Sequence, residues 1–200
     1  DLPPAPTTTM TTTSPPTPTI APCPDVGSHV GTYALGGFGN YAAFDGTHLW
    51  ITGYETVLGT NSAGQQVMSS TAAVTAQTAW KLRTSDGTVV ADYSVGDPPW
   101  GRYGGQTVFD GTHIWTADTA QGKVRKLRAS DGALVGTYPI GGTSVRDMLF
   151  DGAHIWISLT SDTVRKLRAS DGALVGTYQL RAYSMAFDGT HIWGTNSRGR

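Results

Sequence analysis

The chain of 200 residues is predicted to be all-β, a small β-propeller of about four four-stranded antiparallel blades preceded by an extended Thr/Pro-rich arm. Three observations carry this prediction. The motif FDGTHLW at 44–50 returns as FDGTHIW at 109–115, FDGAHIW at 150–156 and FDGTHIW at 187–193. A second motif, RKLRASDGALVGTY at 125–138, recurs unchanged at 165–178 and more loosely as WKLRTSDGTVVADY at 80–93. The FDG starts stand 65, 41 and 37 residues apart, and a period of about 40 residues marks a repeat architecture. Within each repeat, short runs rich in Ile, Val, Trp, Thr and Tyr are broken by Asp-Gly pairs. Such pairs are the strongest short hairpin signal, because both residues tolerate the positive φ of a type I′ turn. No apolar pattern of helical period survives between the turns.

The arm, residues 1–28, comes first. Its first 24 residues hold eight of the eleven prolines together with runs of threonine, and such a segment buries no core of its own. Thr7, Thr8, Thr9, Thr11, Thr12 and Thr13 are uncharged and β-prone, which suits them to strand addition on an exposed sheet edge. The composition also suits O-linked glycans, while no Asn-x-Ser/Thr sequon occurs.

The propeller spans 29–200. Its opening HVGTY matches the fourth strand of later repeats, LVGTY, and the last repeat offers only AYSMAF at 182–187 and THIWGT at 190–195. Val30, Thr32 and Tyr33 are therefore expected to join His191 and Trp193 in one composite blade that closes the ring. The third strand of that blade would fall on TIAPCP at 19–24, where Pro22 and Pro24 fit an interior strand badly. Between them, a repeat such as that starting at Phe150 reads as strand, Asp-Gly turn, HIWIS, a looser loop, TVRKL, a second Asp-Gly turn and LVGTY. In strand two, Ile114 points to one face and His113 and Trp115 to the other, so both faces are bulky and fill the gaps between blades. Lys81/Arg83, Lys126/Arg128 and Lys166/Arg168 are expected to form a basic, solvated outer rim that discourages edge pairing. The first repeat carries an insertion at 54–79, expected to project as a hairpin. The loop at 96–105 bears Trp100 and Tyr103, candidates for stacking on a sugar.

The FDGTHIW and KLRASDGALVGTY repeats resemble the YVTN/YncE-type propellers, relatives of the NHL and streptogramin-lyase-type propellers. The resemblance covers about 29–200 and implies the fold. It implies no single function, because these families include binding modules, enzymes and surface proteins. IWTA and IWIS stand here in place of the strand that names the family.

Composition narrows the function classes. The net charge is −1, so no overall field favours nucleic acid, and no apolar run is long enough to span a membrane. Cys23 is the only cysteine, leaving no intramolecular disulfide. Glu55 is the only glutamate, and the aspartates sit in turns, so no carboxylate pair stands out for acid–base work. No nucleophile elbow, Walker loop, HExxH or EF-hand pattern occurs. The GxGxxA-like stretch at 37–42 leads into no helix and is discarded as a dinucleotide site. His48, His113, His154 and His191 occupy equivalent positions and would form a ring able to hold a metal if they converged; hydrogen bonding within each turn is the expected alternative. The sequence thus predicts no cofactor and no enzyme activity. It predicts an exported, extracellular or surface protein whose partner is another copy of itself. Assembly into a filament through the arm is the leading expectation, a ligand- or glycan-binding propeller the alternative, and a lyase-like enzyme a more distant one.

Overall fold

The computed structural model describes residues 33–35, 37–56, 59–60, 66–67, 74–96, 105–119, 121–142 and 144–196. The arm, including Thr7–Thr13, and Val30, Thr32, Trp100 and Tyr103 lie outside the described residues.

The fold is all-β and of the propeller type. Three antiparallel four-stranded sheets follow one another along the chain, and a two-stranded sheet follows them. The first blade comprises β1 (Phe38–Phe44) and β2 (His48–Thr56), then β5 (Val74–Arg83) and β6 (Val89–Gly96). Between them lie β3 (Gly59–Thr60) and β4 (Gln66–Val67), a separate two-residue ladder within the insertion. The second blade is β7 (Thr107–Phe109), β8 (His113–Asp118), β9 (Lys123–Arg128) and β10 (Leu134–Pro139). The third is β11 (Val145–Phe150), β12 (His154–Leu159), β13 (Thr163–Arg168) and β14 (Leu174–Gln179). Last come β15 (Met185–Phe187) and β16 (Ile192–Gly194), paired Met185↔Gly194 and Phe187↔Ile192.

In each blade, consecutive strands pair side by side, and β1, β7, β11 and β15 lie innermost and neighbour one another in series. β15 makes no comparable contact with β1 among the described residues. In the insertion, β2 and β5 stay paired as far as Thr56↔Val74, well beyond the length of the matching strands in later blades.

The Asp-Gly turns differ from the type I′ expectation. Among the described non-glycine residues only Asp162 has a positive φ, so each turn aspartate keeps an ordinary backbone conformation and the glycine alone turns left-handed. The reason is chemical. The Asp110 carboxylate accepts the backbone N–H of Thr112 at 2.9 Å and of His113 at 2.7 Å, closing an Asx-type turn through its side chain. At the second turn, Gly132 N–H donates to Arg128 O at 2.7 Å, and its φ of +72° is one that a side chain would strain.

The core lies between blades. One cluster joins Trp50, Ala79 and Val95 of the first blade to Ile114, Leu127 and Ala129 of the second. The next joins Trp115, Val124 and Ile140 of the second to Ile155, Ile157 and Leu167 of the third. Ile114 and Trp115, adjacent in one strand, serve opposite junctions, which is how a two-sided strand knits a stack of sheets.

Candidate functional site

The repeated motifs converge on the blade junctions, where most of the chemically capable side chains sit. Each junction is built on the first Asp of a repeat. Asp110 accepts the two backbone bonds of its turn on Oδ1, and its Oδ2 accepts Trp115 Nε1–H at 2.8 Å. The same Asp–Trp bond holds Trp50 to Asp45 at 2.8 Å, Trp156 to Asp151 at 2.7 Å and Trp193 to Asp188 at 2.6 Å. The indole is thereby fixed with its polar edge satisfied and its face free to pack.

A tyrosine from the fourth strand of the same blade stacks on that face. The ring centroids lie 5.4 Å apart for Trp50–Tyr93, 5.4 Å for Trp115–Tyr138 and 5.5 Å for Trp156–Tyr178. The same tyrosine leans on the next blade. A methyl group at Gly132 would come within 2.0 Å of the Tyr93 ring, and one at Gly172 within 2.0 Å of the Tyr138 ring. Glycine is required there for close approach as well as for the turn.

The third strand adds a lysine above the indole. Lys81 Nζ lies 5.2 Å from the Trp50 ring centroid, Lys126 Nζ 5.0 Å from that of Trp115, and Lys166 Nζ 4.7 Å from that of Trp156. Lys81 donates to Ala129 O at 2.7 Å, and Lys126 to Ala169 O at 2.7 Å, each bridging to the following blade. The expected solvated rim is therefore wrong for Lys81 and Lys126, which are 7% and 3% exposed, while Lys166 is half-buried. Long, flexible and pre-satisfied by a ring face and a carbonyl, lysine can enter a junction that its charge alone would forbid. The arginines do stay on the surface. Arg83, Arg128 and Arg168 are half-exposed and each pairs with the turn aspartate three residues on, at 2.7–2.9 Å.

The histidines do not gather. The Nδ1 atoms of His48, His113, His154 and His191 lie 3.8, 3.4, 3.3 and 3.7 Å from Oδ2 of their own turn aspartates. Among the described residues no three His, Cys, Asp or Glu side chains are grouped to hold a metal ion. His113 and His154 both line a polar cleft of about 560 Å³ between the second and third blades.

Electrostatics at the turns follow from these bonds. Burial, the largest single influence on Asp45, pushes its carboxyl up, but the combined bonds from Trp50, His48 and Thr47 outweigh it and bring the pKa down to about 2. Asp188 also sits at about 2, held there by the Trp193 indole first and then by its turn amides. Asp110 and Asp151 are lowered in the same way against burial. These groups are anions in every ordinary buffer and have no tendency to move a proton near neutrality.

Against known proteins, the chain matches folds only. No family model and no curated protein matches it. Among solved structures it is similar to the Kuenenia stuttgartiensis hydrazine synthase, with a TM-score of 0.50 at 12% identity, covering 80% of this chain and 41% of that one. It is also similar to U3-55K, with a TM-score of 0.47 at 14% identity, covering 57% of this chain and 37% of that one. The chain thus spans less than half the length of each of these two structures.

The remaining predicted residues that the structure describes are all exposed. Tyr33 rests against Gly87, where an added methyl group would come within 2.2 Å of its ring, the place Tyr93 and Tyr138 hold on Gly132 and Gly172. It occupies the position of a fourth-strand tyrosine from a blade before the first. His191 and Trp193 lie on or beside β16, whose one sheet partner among the described residues is β15. Among the described residues no tyrosine stacks on Trp193; its ring neighbour is His191, at 6.3 Å. Trp193 is 62% exposed, whereas Trp50 and Trp115 are 0% exposed. Sequence reasoning missed the Lys–Trp–Tyr stack. Its signal was present in the repeat, since each KLR starts 12 residues before its Tyr and lies on the strand that pairs with that of its Trp.

Proposed function

We propose that the chain is a non-enzymatic, exported structural propeller that assembles with copies of itself, the Thr/Pro-rich arm adding as a strand to a neighbouring copy and building a filament. One observation carries this reading. Within the stack of blades the motif Trp, Tyr and first-turn Asp side chains, with Lys81 and Lys126, are engaged in the sheets and their junctions, while each end of the stack still exposes an aromatic ring, Phe44 at 55% at one and Trp193 at 62% at the other. Faces of this kind mark interaction surfaces rather than reaction sites. The arm supplies β-prone, uncharged threonines, and its composition suits an exported protein bearing O-linked glycans. The bands in favour of a ligand-binding propeller are fewer: an apolar cavity of about 370 Å³ between Trp156, Tyr178, Leu180 and Ile192.

Mass photometry and negative-stain images of the full chain, compared with a chain starting at Asp25, test the proposal. Long assemblies that shorten or vanish with the arm are expected. Assembly unchanged by the truncation overturns the role of the arm, and a full chain that stays monomeric overturns self-assembly.

A further inference from the structure

We infer that the exposed aromatics at the two ends of the blade stack are complementary, so that copies join head to tail, with Trp193 of one copy seated on Tyr33 and beside Phe44 of the next. The inference rests on the self-assembly reading and names the surface that joins copies, independently of the arm.

The internal junctions show what such a surface wants. On the forward face of each complete blade stand a Trp, a Lys and a Tyr; on the rear face of the blade that follows stand a Phe, an Ile and a Leu. At the first junction Trp50 and Tyr93 meet Phe109, Ile114 and Leu127. At the second, Trp115 and Tyr138 meet Phe150, Ile155 and Leu167. Two rear and forward faces are left over. The first blade presents the rear face, on which Leu82 is already buried but Phe44, the counterpart of Phe109 and Phe150, stays 55% exposed. The two-stranded sheet presents the forward face, with Trp193 where Trp50 and Trp115 are buried.

Tyr33 makes the match specific. It already lies on Gly87 of the first blade, as the tyrosine of a preceding blade does at both internal junctions. What the rear face lacks is the indole that normally stacks on that tyrosine. Trp193 is an indole already fixed by Asp188, and no tyrosine among the described residues stacks on it. Among the described residues of one chain no ring contact joins Tyr33 to Trp193. A second copy carries the missing half of each pair, and the geometry required is the 5.4 Å stack that the chain forms at its own junctions. Because the surfaces differ, the contact is heterologous and propagates unless the rotation happens to close.

Sedimentation velocity on the full chain tests this with Trp193→Ala and Tyr33→Ala, and with Phe44→Ala as a second variant of the rear face. All three side chains are at least 45% exposed, so the variants should fold, and circular dichroism verifies it. Each is expected to weaken self-association on the order of 30-fold, the usual loss at a buried aromatic anchor. Mixing Trp193→Ala with Tyr33→Ala should restore a dimer and nothing longer, because each retains one sound end. Undiminished association of Trp193→Ala, or variants that stay monomeric on mixing, would overturn the inference. Association that survives Trp193→Ala yet is lost without residues 1–24 leaves self-assembly standing and removes only this interface. A wild-type chain that is monomeric at every concentration removes both.

Discussion

The first two blade junctions and the last one are made from the same sequence motif and end in different states. At the first two, the indole is buried, its lysine reaches a carbonyl of the next blade, and its tyrosine presses on the next glycine turn. At the last, Trp156 and Tyr178 still stack, but Lys166 has no carbonyl partner among the described residues, and an apolar cavity lies where Leu127 and Leu167 fill the earlier junctions. The comparison separates what a repeat dictates by itself from what only its neighbour supplies. The Asp–Trp bond and the Trp–Tyr stack belong to a single repeat. Burial, the lysine bridge and the glycine contact need the next one.

Substitutions at matched positions break or sharpen that contrast. Lys126→Ala should destabilise the chain by about 3 kcal/mol, since it removes a buried charge-assisted bond and a ring contact and leaves Ala169 O unpaired. By thermal unfolding that is a fall of roughly 6–12 °C. Lys166→Ala, chemically identical, should cost less than about 1 kcal/mol, because a half-buried ring contact is all it loses. Equal losses would mean that the lysine acts within its own blade. A smaller contrast is expected between Asp110→Ala, about 2 kcal/mol from three lost bonds in a part-buried turn, and Asp188→Ala, whose exposed turn should move the urea midpoint less.

The acid limb of stability is a gentler probe. Asp45, Asp110, Asp151 and Asp188 all have carboxyls lowered by folding, so the folded state binds fewer protons than the unfolded chain. Their contribution is complete above the ordinary carboxylate value of about 3.9 and disappears as the pH falls toward about 2, where Asp45 and Asp188 titrate in the fold. The urea midpoint should be insensitive to these groups from pH 5 to 7 and drop between pH 4 and 2. A midpoint already falling between pH 6 and 5 would point to groups other than the turn aspartates.

Much of the fold was legible because duplication repeats its own punctuation. FDG and SDG mark the turns, and the strands of the repeat beginning at Phe150 fall where the hydrophobic runs place them. The opposite duties of Ile114 and Trp115 follow from strand alternation alone. The burial of Lys81 and Lys126 is not legible in the sequence because a charge suggests water, whereas Lys126 lies beneath a neighbouring turn that no single strand reveals. The turn type was misread because Asp-Gly admits two solutions: a left-handed aspartate, or an ordinary one whose side chain collects the free amides. The carboxylate here does the second. At the candidate site, the histidine ring suggested by equivalent positions is dispersed because each imidazole faces its own aspartate. The pairing of Tyr33 with the repeat of Trp193 was legible in the match of HVGTY to LVGTY, whereas spacing alone does not say whether the partner strand comes from the same copy or from another.

Hydroxyl-radical footprinting of individual tryptophans across a dilution series addresses the central claim most directly. Trp50 and Trp115 should be protected at every concentration, and Trp193 should be oxidised in dilute protein and protected as the concentration rises. A Trp193 equally protected at all dilutions, or equally oxidised at all of them, would contradict head-to-tail completion of the open face by a second copy.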